Sequence, residues 1–235
     1  MGVNINFKNF RGKVNYKEKK KLLKHLNKIK NLISPEFLKS YKNDYKYSYN
    51  RKFIKKYINF KNINIIGMGG SSLGAKAIYN FLNYKIKKKI TFFENLNLKK
   101  ENKSKVLNII ISKSGNTLET IVNFNLKYNK KNKNIFITEN TNNYLRKLGE
   151  KLKSDIIEHK NFIGGRFSVL SEVGMLPAEL MGLNEKKFKK FNNLIIKKKF
   201  LNNLIENVLN TYQFVKYKKF NSVILNYDPN SADFF

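Results

Sequence analysis

The sequence predicts an α/β protein: a parallel sheet flanked by helices in a three-layer sandwich, led by a helical segment. Three observations carry this. Short apolar, β-rich runs recur at 62–66, 90–93, 106–111, 134–138 and 155–157. Helical patterns, one through Ala75, Ala77, Ile78, Phe81 and Leu82 and others at about 117–130 and 142–151, separate most of them. Loops rich in Gly and hydroxyls follow two of the runs, at 67–74 and 112–117. Apolar strands alternating with helices are what a sheet covered on both faces requires.

Residues 1–60 carry no Gly after Gly12 and read as the helical leader. Leu22, Leu23, Leu26, Ile29, Leu32 and Ile33 recur at three- and four-residue spacing, which makes one apolar stripe. Ser34-Pro35-Glu36 predicts a break and a new helix start. The tyrosines from Tyr41 to Tyr57 are expected to pack against the chain downstream of them as ordinary core and surface aromatics. The sheet domain is placed at 61–183 and linking helices at 184–220 (with helix predicted over 171–182 and 185–217), and 222–226 reads as one more strand.

Composition narrows the function classes. The 235 residues include no Cys, which excludes a disulfide scaffold, a thiolate zinc site and a cysteine nucleophile. An apolar fraction of 41% and an aromatic fraction of 14% exclude disorder throughout, since such a chain can bury a core. No apolar run approaches the ~20 residues of a membrane helix, and the N-terminus lacks the apolar stretch of a signal peptide. A cytoplasmic protein without membrane contact is expected. The formal net charge is +32, but only Arg11, Arg51, Arg146 and Arg166 among the 48 basic residues are Arg. Nucleic-acid readers rely on the bidentate Arg fork. Lysines spread evenly and accompanied by Asn and Ile read instead as AT-rich coding, so no nucleic-acid partner is expected. The potential still favours anionic metabolites.

Ligands of parallel sheets bind at the carboxyl ends of the strands, where both unusual loops fall. In 67–74, glycines admit close approach of a ligand to the backbone. The loop is not a Walker A motif, because Ala75 stands where Lys is required, and Ser72 breaks the dinucleotide fingerprint. In 112–120, three hydroxyls and one ammonium cluster before a helix, as a phosphate site needs. Asn116 and Glu119 have capping-box spacing, so part of that signal is a helix start.

Gly-x-Gly-Gly-Ser at the first loop and Ser-x-Ser-Gly-x-Thr-x-Glu-Thr at the second resemble the sugar isomerase (SIS) domain. Gly164-Gly165-Arg166-Phe167-Ser168 resembles the Gly-Gly-Arg-Tyr/Phe-Ser signature of the glucose-6-phosphate isomerase family. The resemblance implies an aldose–ketose isomerase interconverting glucose 6-phosphate and fructose 6-phosphate through a cis-enediol, with no metal or nucleotide cofactor. It implies that Gly70 and Ser71 contact the sugar. Ser112, Ser114 and Thr117 would grip the phosphate, with Lys113 supplying backbone and local charge. Arg166 would stabilise the enediolate, since a guanidinium stays charged and donates a planar fork. Where the family has Thr-Phe-Thr-Thr, this chain has Ser114-Gly115-Asn116-Thr117. The family's base, histidine and lysine lie downstream of the matched region, and neither His25 nor His159 corresponds to the catalytic histidine. The resemblance thus implies an N-terminal half in which 221–235 is the start of a truncated second SIS domain, with a homodimer or a complementary C-terminal half as partner. Two other readings stay open. One is a stand-alone sugar-phosphate-binding module. The other is a dinucleotide enzyme using Glu94, which lies 27 positions after Gly67, as a ribose carboxylate.

Overall fold

The computed structural model describes residues 16–32, 36, 39–96, 105–191, 197–216 and 228–234. In chain order the described elements are α1 (Tyr16–Leu32), α2 (Arg51–Tyr57), β1 (Asn62–Ile66), α3 (Leu73–Leu82), β2 (Lys89–Phe93), β3 (Val106–Ile111), α4 (Leu118–Lys127), β4 (Lys133–Thr138), α5 (Tyr144–Lys151), β5 (Asp155–Glu158), α6 (Glu172–Leu180), α7 (Glu185–Phe188) and α8 (Lys198–Lys216). They fall into two compact units. One contains α1 and α8, joined by an ion pair of 2.7 Å between Lys19 Nζ and Glu206 Oε1. The other contains α2 to α7, the sheet and residues 228–234. The expected strand at 222–226 and residues 34–35 of the expected break lie outside the described residues.

The sheet has five strands in the order β2-β1-β3-β4-β5, every pairing parallel. β1 and β3 are central, which explains the all-apolar stretch Ile109-Ile110-Ile111, buried on both faces. Alternate residues feed two cores, because side chains alternate across a strand. Ile63, Ile65, Leu107, Ile109, Ile135 and Ile137 meet Val173, Leu176 and Leu180 of α6 on one face. Ile66, Ile110 and Phe136 meet Phe124 of α4 and Leu145 of α5 on the other. Each such buried side chain contributes about 1.5–3 kcal/mol of transfer free energy.

The second face also holds a polar row. Asn64, Asn108 and Asn134 stand in register on β1, β3 and β4. Asn64 Nδ2 donates to Asn108 Oδ1 at 3.0 Å, and Asn108 Nδ2 donates to Asn134 Oδ1 at 2.9 Å. Parallel in-register strands hold identical amides one strand spacing apart, so each satisfies the next and the burial cost is avoided.

The leader is less helical than its composition predicts. After a short 3-10 turn at Lys39–Tyr41 the chain runs irregularly to Asn50, which caps α2 by accepting from the Phe53 N–H at 3.0 Å. The tyrosines decide this. Tyr45 Oη donates to Glu172 at 2.8 Å and Tyr49 Oη to Glu179 at 2.7 Å, both on α6. Tyr47 stacks on Tyr49 with centroids 5.1 Å apart. A helix would scatter residues two apart around its circumference. The helix predicted over 185–217 is likewise broken. α7 ends at Phe188, and Lys189 turns inward to donate to the Lys42 carbonyl at 2.9 Å, over the rings of Tyr45 and Tyr47.

Candidate active site

Three loops meet at the carboxyl end of the sheet. The 67–74 loop leaves β1 through Gly67, whose N–H donates to the Phe93 carbonyl at 3.2 Å. A Cβ on Gly67 would lie 2.9 Å from the Ile111 carbonyl oxygen, so this turn is pressed against the end of β3. Gly69 adopts φ +55°, in the left-handed region glycine tolerates. At Gly70 the loop touches the signature loop backbone to backbone: a Cβ there would sit 2.5 Å from both the carbonyl carbon and oxygen of Gly165. Ser168, buried, locks the pair by donating to the carbonyls of Gly70 at 3.1 Å and Gly165 at 2.7 Å.

The 112–117 loop is held differently. Ser112 N–H extends the ladder to the Ile137 carbonyl at 3.1 Å. Ser112 Oγ shares a hydrogen bond of 2.9 Å with Thr117 Oγ1 and accepts from the Gly115 N–H at 3.2 Å. Gly115 has φ +67°, and a Cβ there would fall on the Asn143 carboxamide. The expected capping box does not form. Thr117 is the N-cap of α4 without a side-chain cap bond, and Asn116 Oδ1 instead accepts from the Tyr144 N–H at 3.0 Å. The first turn of α4 therefore keeps its N–H groups directed at the loop, as helix starts do.

The expected site residues divide. Ser112 is buried, Thr117 is half-buried and Ser114 is exposed. The Lys113 ammonium faces away from the hydroxyls, donating to the Asn161 carbonyl at 2.7 Å and pairing with Glu139 at 3.4 Å. That anchors the loop to the chain just before the signature. Arg166 is exposed and has no ion-pair partner among the described residues. The structure thus brings Gly70 and Arg166's loop into contact, and ties the hydroxyl loop to the same strand ends.

Residues outside the predicted set complete the frame. Glu94 accepts from Ser72 Oγ at 2.8 Å and from Lys76 Nζ at 2.9 Å, fixing the start of α3. A carboxylate engaged twice by its own fold is poorly suited to a ribose, which removes the ground for the dinucleotide reading. Glu172, buried on α6 behind the signature, accepts from Tyr45 Oη and from the Ser48 N–H at 2.9 Å. His159, also buried, has its pKa pushed below 6.5 by burial, with the Lys113 charge adding to the effect. No signal in the sequence pairs these groups, because their partners lie tens of residues away.

The phosphoglucose isomerase family model matches residues 19–226. A glucose-6-phosphate isomerase of Methanocaldococcus jannaschii is 37% identical over 142 residues, covering 54% of this chain and 35% of that enzyme. One of Mycoplasmopsis pulmonis is 34% identical over 197 residues, covering 71% of this chain and 45% of that enzyme. The chain spans less than half the length of these curated relatives. A hypothetical protein of Thermus thermophilus shares the fold at TM-score 0.57 and 19% identity, over 86% of this chain and 52% of its own. Tagatose-6-phosphate ketose/aldose isomerase of Escherichia coli does so at TM-score 0.50 and 14% identity, over 66% and 46%. Glycine loop, hydroxyl loop and Arg-bearing signature, in that order on a sugar isomerase fold, agree with the match over most of the sequence: the chain belongs to the phosphoglucose isomerase family.

Proposed function

We propose that this chain is the phosphate-gripping and arginine-bearing half of a cytoplasmic aldose–ketose isomerase that interconverts glucose 6-phosphate and fructose 6-phosphate. The observation that carries the reading is the convergence of the three family motifs on one end of the sheet, with Arg166 exposed and without an ion-pair partner among the described residues. In this reading Ser114, Thr117 and the first turn of α4 hold the phosphoryl oxygens. Ser112 braces Thr117 from beneath, and Lys113 anchors the loop. Gly70 keeps the two glycine loops close enough for Ser71 to meet the sugar. Arg166 offers a charged planar fork to the oxygens of the enediolate. The domain division into 1–60, 61–183, 184–220 and 221–235 belongs to the same proposal.

Proton transfer between C2 and C1 requires a carboxylate base. Glu172 is tied to Tyr45 and Ser48, and Glu179 to Tyr49, so neither is placed for that role. The proposed partner is therefore a C-terminal half that supplies the base, in a family-like homodimeric assembly. A coupled assay tests this. The purified chain alone should show no turnover, whereas mixing with the C-terminal half of a related enzyme should restore it. Robust turnover by this chain alone would overturn the assignment of the base to the other half.

A further inference from the structure

The hydroxyl loop is bound at its back to the exit of β4. The Lys113 carbonyl accepts from the Glu139 N–H at 3.1 Å and from Thr138 Oγ1 at 3.3 Å. The Glu139 carbonyl accepts from Asn143 Nδ2 at 3.2 Å, and the same carboxamide occupies the space that a Cβ on Gly115 would need. The backbones of Lys113 and Glu139 are thus joined directly, and their side chains meet again: Lys113 Nζ lies 3.4 Å from Glu139 Oε1. These links hold the Glu139 carboxylate immediately behind the 112–117 loop.

A carboxylate is a costly neighbour for a phosphate site. The chain has only 16 acidic residues against 48 basic ones, and a phosphoryl dianion is repelled by every anion near it. Lys113 does not need Glu139 as an anchor, because the Asn161 carbonyl accepts from the same ammonium at the shorter distance of 2.7 Å. What the carboxylate adds is cancellation of charge. Lys160, in the same stretch as Asn161, is matched by Glu158 at 2.8 Å, and burial keeps the His159 pKa below 6.5, so that imidazole is uncharged near neutral pH. The side chains of Lys113 and Glu139 are 33% and 19% exposed, so solvent and salt screen them only in part. The loop therefore offers its hydroxyls and N–H groups with the nearest ammonium neutralised. That favours selection by directed hydrogen bonds over bulk attraction to a strongly basic chain.

We propose that Glu139 is a positioning residue of the phosphate site that sets its affinity: by neutralising the anchored Lys113 ammonium, it holds sugar-phosphate binding below what the loop would otherwise reach. The inference rests on the phosphate reading of the 112–117 loop, and the test separates the two. Fructose 6-phosphate is titrated calorimetrically into the intact native chain, Glu139→Gln, Glu139→Ala and Glu139→Gln/Lys113→Met, each at ~0.05 M and ~0.5 M chloride, where screening lengths differ about threefold. Glu139→Gln keeps the size and the acceptor of the side chain and loses only its charge. At the lower salt it should bind the ester roughly threefold more tightly than the native chain, the scale of removing one charge from about 10 Å of a dianion in water. Most of that gain should vanish at the higher salt. Glu139→Ala should act in the same direction, and the double variant should bind more weakly than Glu139→Gln, because it lacks the uncancelled ammonium. A merely structural Glu139 gives the opposite sign, since loosening the loop weakens binding at either salt. If neither Glu139 variant binds more tightly than the native chain, or if the double variant matches Glu139→Gln, the inference is wrong and the phosphate reading stands. If the native chain does not bind the ester at all, both are wrong.

Discussion

The two loops that leave the sheet side by side are built on opposite principles. The 67–74 loop is held by contact: its glycines press backbone against backbone, with 2.5 Å between a hypothetical Cβ on Gly70 and Gly165. The 112–117 loop is held by side chains, through the Ser112–Thr117 hydroxyl pair and the Lys113 anchor on Asn161. The first fixes shape and leaves chemistry to its neighbours. In the function proposed here the second carries the phosphate contacts, with buried Ser112 bracing Thr117. Substitutions in the first should therefore act on folding, and substitutions in the second on binding.

The largest effect is expected at Gly70. Gly70→Ala drives a methyl group into the Gly165 backbone, which has no flexible end to yield, so the cost should reach or exceed ~3 kcal/mol, the upper range of overpacking. Chemical denaturation would measure it, and a loss below ~1 kcal/mol would break the contrast. Thr117→Val comes next and should act on the other side of the comparison. Losing a hydrogen bond to a charged phosphoryl group should weaken fructose 6-phosphate binding by about 1.5–3 kcal/mol while stability changes less. Gly69→Ala should be milder than Gly70→Ala. Nothing lies within 4 Å of a Cβ there, and only the positive φ penalises it, by roughly 1 kcal/mol.

The smallest effect is a pH dependence beneath the hydroxyl loop. His159 N–H donates to the Thr138 carbonyl at 2.8 Å, and Thr138 Oγ1 donates to the Lys113 carbonyl at 3.3 Å. With the His159 pKa depressed below 6.5, folding disfavours the imidazolium. The stability this group contributes is present above 6.5 and is lost as pH falls, because the unfolded chain takes up the proton first. Thermal midpoints recorded from about pH 7.5 to about pH 5 should fall more steeply for the native chain than for His159→Gln.

Much of this was legible in the sequence, and the reason is the sheet. Five buried parallel strands leave an unmistakable record in runs such as Val106-Leu107-Asn108-Ile109-Ile110-Ile111, and parallel strands place their loops on one end by necessity. Helices α3, α4 and α5 followed from apolar spacing to within a few residues. The illegible part depends on distant partners. Tyr45 and Tyr49 abandon a helix for carboxylates on α6, Asn116 serves Tyr144 rather than its own helix, and Glu94 serves Ser72 and Lys76. In each case local spacing suggests one partner and tertiary contact supplies another. The amide row was hidden for another reason: Asn in a buried strand contradicts strand propensity and makes sense only once in-register neighbours are known.

The central claim is that the 112–117 loop recognises the phosphoryl group of a sugar phosphate. Calorimetric titration of fructose 6-phosphate against unphosphorylated fructose, into the native chain and into Ser112→Ala/Thr117→Ala, tests it most directly. The expected result is clear binding of the phosphate ester to the native chain, none of fructose, and weakening of the ester by about 1.5 kcal/mol or more in the double variant, the scale of lost hydrogen bonds to a charged group. Equal affinity for both sugars, or an unchanged affinity for the ester in the double variant, would contradict it.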